Sequence, residues 1–185
     1  MKFHYSGKFN GDGNSLPQRE HPTGYVQFKE AENIKEFAIV MNIMAMVITF
    51  ILLFMVSYIA KERTSLTGIF LALVSLVPHE FLHALCFKED VYMYTNLKQG
   101  MLFVVGTEDM SKARFIMMGL CPNIVFGFIP FILFLIFPNL TVLGTLGALA
   151  IGMGAGDYYN VFNALTQVPK DAKIYMSGFH SYWYK

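Results

Sequence analysis

His79, Glu80 and His83 stand in the pattern H-E-x-x-H, inside an apolar run from about Thr67 to Phe87. On a helix, residues four apart lie one above the other, so both imidazoles point the same way, with Cβ atoms about 6 Å apart. Two imidazoles at that spacing can hold one zinc ion. Glu80 follows the first histidine and faces the open side of such an ion, where it can act as the general base toward a metal-activated water. Three matched positions define a hypothesis, and core histidines beside a surface glutamate are its plain alternative. The setting shifts the balance. An ionisable side chain in hydrocarbon costs roughly 2–3 kcal/mol or more and normally has a partner and a task.

The elements that must position these residues follow from composition. Of 185 residues, 55% are hydrophobic and 15% charged; Phe (18) and Met (12) are abundant. The mean hydropathy is +0.45. This is the profile of a membrane protein. A formal net charge of +1 gives no sign of nucleic-acid binding. Cys86 and Cys121 both lie in apolar runs and imply no disulfide framework.

Four apolar runs are expected to span a bilayer, at about 37–60, 67–87, 115–137 and 141–164. The expected fold class is an all-α membrane protein, a four-helix domain over 37–164. A short β-hairpin at about 91–105 is expected between the second and third helices. Residues 1–36 read as a polar N-terminal tail on the membrane surface. Within it, Tyr25–Lys29 suits a short strand or extended arm, and a signal peptide's apolar core and cleavage site are missing. Residues 165–185 read as a C-terminal tail rich in interfacial aromatics. The glycines of the fourth run, Gly144 to Gly156, would let another helix approach closely. Lysines and arginines concentrate before the first run, between the second and third, and after the fourth. Both termini are therefore expected on the cytoplasmic side of the cell membrane, in a multi-pass arrangement.

Depth can then be compared. His79 and His83 lie about 18 and 24 Å along the second run, and Asp157 about 24 Å along the fourth, which runs the same way. Within the four runs, Glu80 and Asp157 are the only acids and His79 and His83 the only histidines; no lysine or arginine neutralises them. A zinc ion on His79, His83 and Asp157 would satisfy three of these four groups and leave a fourth position open, the composition of a catalytic site. Cys86, seven residues after His79, and Glu108 are competing third ligands, although Glu108 and Asp109 read better as solvated. His4, His21 and His180 lie outside the runs. Asn160, one turn after Asp157, and Asn123, after Pro122, are candidates to orient the carboxylate, to meet substrate, or simply to join helices. A strand edge beside the metal would suit an extended peptide substrate.

With these residues in view, the chain resembles a bacterial family of zincin peptidases that share features with the site-2 intramembrane metalloproteases. The resemblance covers the polar start, H-E-x-x-H at the inner end of a span, the strand-like insert and the later intramembrane Asp. It implies His79 and His83 as zinc ligands, Glu80 as base and Asp157 as third ligand. Site-2 proteases usually carry Asp-Gly in the later span; here Gly156 precedes Asp157 and Tyr158 follows it. The expected function is a membrane-embedded zinc metallopeptidase acting on a membrane protein or peptide near the cytoplasmic face. A metal-binding or metal-transport protein, or a scaffold with a structural zinc, is the alternative.

Overall fold

The computed structural model describes residues 1–96, 98 and 101–185, the side chain of Met101 excepted. Strand β1 (Lys2–Lys8) leads through an extended arm and a two-residue strand β2 (Val26–Gln27) into helix α1 (Ile34–Ala60). Asn33 caps α1, its side chain accepting the Glu36 N–H at 2.8 Å, and Lys61 ends it in the left-handed conformation. Ser65 caps α2 (Leu66–Leu85), which carries Pro78 inside it. Strands β3 (Asp90–Asn96), β4 (Met101–Val105) and β5 (Met110–Ser111) follow. Helix α3 (Lys112–Asn123) passes through a π-helical turn, Ile124–Phe128, into α4 (Ile129–Ile136). Helices α5 (Thr141–Met153) and α6 (Ala155–Gln167) precede strands β6 (Lys173–Ser177) and β7 (His180–Tyr184).

Among the described residues, three helical stretches are long and apolar enough to cross a membrane: Ile34–Ala60, Leu66–Leu85 and Lys112–Ile136. The run expected as a fourth span is interrupted. It forms a 13-residue α5 and a 13-residue α6 that meet at Gly154. Much of α1 is exposed apolar surface, including Ile43, Phe50, Phe54 and Tyr58. Hydrocarbon is the solvent that suits such a surface. Helices α4 and α5 approach closely because of Gly147, where a Cβ would lie 2.6 Å from the Phe131 nitrogen.

The expected all-α class is corrected by two sheets. In the first, β3 pairs antiparallel with β4, and β1 adds to the other edge of β3 in parallel, giving the order β1-β3-β4. The strands expected at 91–105 thus belong to a three-stranded sheet, and the turn expected over Asn96–Gly100 lies in part outside the described residues. In the second sheet the order is β2-β7-β6-β5. The two tails are therefore structured. The N-terminal segment supplies a strand to each sheet, and residues 173–184 form an antiparallel hairpin. The hairpin's Ile174 is fully buried, and it joins Ala84, Phe87, Phe115 and Ala164 in one apolar core. That core ties the C-terminal ends of α2 and α6 to the start of α3.

Candidate metal centre

His79 and His83 lie one turn apart on α2, with ring centroids 4.9 Å apart and the two Nε2 atoms 3.2 Å apart. Asp157, in the first turn of α6, brings Oδ2 to 3.2 Å from His79 Nε2 and Oδ1 to 3.3 Å from His83 Nε2. These three distances can be tested against a metal. A tetrahedral zinc with ligands at about 2.0–2.1 Å sets neighbouring ligand atoms about 3.3–3.4 Å apart. The triangle of side chains has sides of that size, with Asp157 offering Oδ2 to His79 and Oδ1 to His83, and its corners are two imidazole nitrogens and a carboxylate, a set suited to zinc. His79, Glu80 and His83 also form a cluster whose ligand atoms all lie within 4.8 Å of one another. The residues fit the group.

The surroundings hold each corner. His83 Nδ1 lies 2.8 Å from the carbonyl oxygen of Met118 on α3. A carbonyl only accepts, so Nδ1 carries a proton there, and Nε2 is the ring nitrogen turned toward His79 and Asp157. Asn123 Nδ2 donates to Asp157 Oδ2 at 2.7 Å and to the Gly119 carbonyl at 2.9 Å. Tyr158 donates its hydroxyl to Asn123 Oδ1 at 3.3 Å. Gly154 is needed at the α5–α6 junction, since a Cβ there would collide with Asn123 Oδ1. Glu80 is buried beside the histidines.

A cavity of about 310 Å³ opens onto the group, lined by His79, Glu80, His83 and Asp157. Asn42 and Met41 of α1, Met153 of α5, Asn160 of α6 and Met176 of β6 also line it. So do three consecutive residues of β4, Leu102, Phe103 and Val104. Side chains alternate across a strand, so three in a row can line one cavity only where it abuts the strand's edge. Among the described residues, the strand order leaves that edge of β4 without a neighbouring strand.

The sequence-predicted residues thus divide. His79, Glu80, His83 and Asp157 come together, Asn123 touches the carboxylate, and Asn160 reaches the cavity wall. Cys86 does not join them: its thiol donates to the Leu82 carbonyl at 3.6 Å and packs against the apolar core. Glu108 is not solvated, as expected from its loop position, but buried. It accepts the N–H groups of Lys88 and Glu89 at 2.7 and 2.6 Å and pairs with Arg114. Its acceptor capacity is spent there. Asp109, half-exposed, pairs with Arg19 at 2.8 Å and accepts the Tyr184 hydroxyl at 2.6 Å. His4, His21 and His180 have partners of their own, Asp90, Tyr175 and Glu30. Sequence reasoning missed the Met118 carbonyl and Tyr158. It also missed the contribution of α1 and β6 to the cavity wall. Only Pro122 carried a signal for the first of these.

Outside the helices, Glu30 fastens the N-terminal arm to the C-terminal hairpin. It accepts the Ser181 N–H at 2.7 Å, with His180 Nδ1 at 3.3 Å. Burial pushes its carboxyl up to about 7, and the Ser181 hydrogen bond offsets only part of that.

An H-E-x-x-H pair beside a distant carboxylate is the arrangement expected of a zincin-type centre. The family comparison agrees: a model described as "putative zincin peptidase" matches residues 72–173, more than half of the chain and every residue of the triangle. The chain belongs to this family. No curated protein and no solved structure gives a match.

Proposed function

We propose that the protein is a membrane-embedded zinc metallopeptidase, similar to site-2 proteases, which hydrolyses peptide bonds near the cytoplasmic face of the cell membrane. The observation that carries this is the triangle of the His79 and His83 Nε2 atoms and the Asp157 carboxylate, with sides of 3.2–3.3 Å and Glu80 buried beside it. His79, His83 and Asp157 would hold the zinc. When bound, the ion supplies Lewis-acid chemistry, acidifying water and polarising a peptide carbonyl.

The chain's own residues do the rest. Glu80 takes a proton from the attacking water and delivers it to the departing amine nitrogen. The free edge of β4 offers backbone N–H and C=O groups to an extended peptide, so the substrate would add as a further strand across the cavity. Such binding suits a substrate helix that has unwound, because a helical amide is shielded by its own hydrogen bonds. The apolar walls from Met41, Met118 and Met153 suit large, varied side chains. Exposed apolar α1 and two further helices of spanning length support a multi-pass placement; the distribution of basic residues supports both termini cytoplasmic, with the α5–α6 pair completing the fourth crossing that this requires.

The test is a pair of substitutions in the purified full-length protein. Glu80→Gln is expected to keep zinc and lose cleavage of a membrane-protein substrate by about a thousandfold or more. His83→Ala is expected to lose both. Full cleavage by Glu80→Gln would remove the proposed base. Zinc flux into liposomes with no cleavage would favour a transport role.

A further inference from the structure

An intramembrane helix rarely keeps a proline without something else answering the backbone group that it leaves unpaired. Pro122 stands inside α3. It has no N–H to give to the carbonyl four residues back, which is that of Met118. That carbonyl is the one that His83 Nδ1 meets at 2.8 Å. The next residue, Asn123, is fully buried. Both of its amide hydrogens are used, one on Asp157 Oδ2 and one on the Gly119 carbonyl, while Tyr158 fixes its oxygen. The π-helical turn begins at the following residue, Ile124, and such turns recur at functional sites.

We infer that the dipeptide Pro122-Asn123 is the positioning device of the metal centre, Pro122 by freeing the carbonyl that sets the tautomer of His83 and Asn123 by holding the carboxylate of Asp157. Two ligands on two different helices are thereby oriented from a third, by adjacent residues. This rests on the zinc site proposed above and deepens it. Neither residue touches substrate or ion; both act through a ligand. The outer partners of a ligand set its orientation and basicity, and losing one commonly lowers metal affinity 10–100-fold.

The experiment measures zinc affinity by chelator competition, and melting with and without zinc, on the full-length protein in detergent. Pro122→Ala restores an N–H that competes with His83 for the Met118 carbonyl. It should lower zinc affinity about 3–10-fold while the zinc-free melting temperature holds or rises, since alanine suits a helix better than proline. Asn123→Leu keeps the volume and should lower affinity about 10–100-fold. A role confined to packing predicts the reverse for Pro122→Ala, with no loss of affinity. Unchanged affinity in both variants, beside tight zinc binding by the unmodified protein, overturns this inference alone. An unmodified protein that binds no zinc overturns the metal centre and this inference with it.

Discussion

Asp157 and Glu108 are both buried or largely buried carboxylates close to cationic or polar neighbours, and they are answered in opposite ways. Glu108 receives two backbone N–H groups and the Arg114 guanidinium, donors supplied by the chain itself. Asp157 receives one amide hydrogen, from Asn123, and otherwise faces the Nε2 atoms of His79 and His83. The first arrangement is closed. The second gathers a carboxylate and two imidazoles at one point beside a cavity, a set that a proton or a metal cation can hold together. Buried polar groups that complete one another with backbone donors hold a fold together, and those gathered around a cavity are placed where something can be bound.

The contrast can be broken most severely at Asp157. Asp157→Ala is expected to drop zinc from about one ion per chain to about a tenth or less, measured by elemental analysis, with the helices retained by circular dichroism. Zinc retained in full would show that Asp157 is as closed as Glu108. The converse change is Glu108→Gln. It leaves the partly buried Arg114 without its counter-charge and should cost about 3 kcal/mol of stability, while the folded fraction still binds zinc. Loss of zinc at unchanged stability would put Glu108 on the wrong side of the comparison.

A smaller effect is expected where Glu30 meets the C-terminal hairpin. Its carboxyl lies at about 7 rather than 4.5, so the fold favours the protonated form. The stability due to Glu30 is whole below about pH 4.5 and is lost as pH rises through about 7. Burial holds His180 below its usual 6.5, which acts oppositely as pH falls below that value. Amide exchange at Ser181 should therefore be slowest between these limits, and Glu30→Gln should flatten the alkaline side. Protection that rises steadily through pH 7 in the unmodified protein would contradict the assignment. The smallest change tests a feature common to all helices. Asn33→Ala removes the cap of α1 and should cost about 1 kcal/mol in a melting experiment, with zinc and the pH response untouched.

The centre was legible to different depths. The two histidines were readable because an i, i+4 pair on a helix is local geometry. Asp157 was readable by elimination, as the one other acid in an apolar run. Asn123 was visible as a candidate, but its choice of Asp157 over another helix was not. Cys86 and Glu108 stayed in contention because their nearest hydrogen-bond partners cannot be deduced from spacing. The break at Gly154 escaped notice because apolar residues continue on both sides of it.

What the chain's linear order settled by itself is whatever rests on neighbours a few residues apart: the apolar stretches and the histidine pair. Only the tertiary structure decided which distant groups answer one another. It turned two polar termini into sheet strands, since pairing between strands far apart in the chain leaves little trace in periodicity. It also brought the carboxylate of α6 to the imidazoles of α2, because helix packing sets the distance between side chains on separate elements.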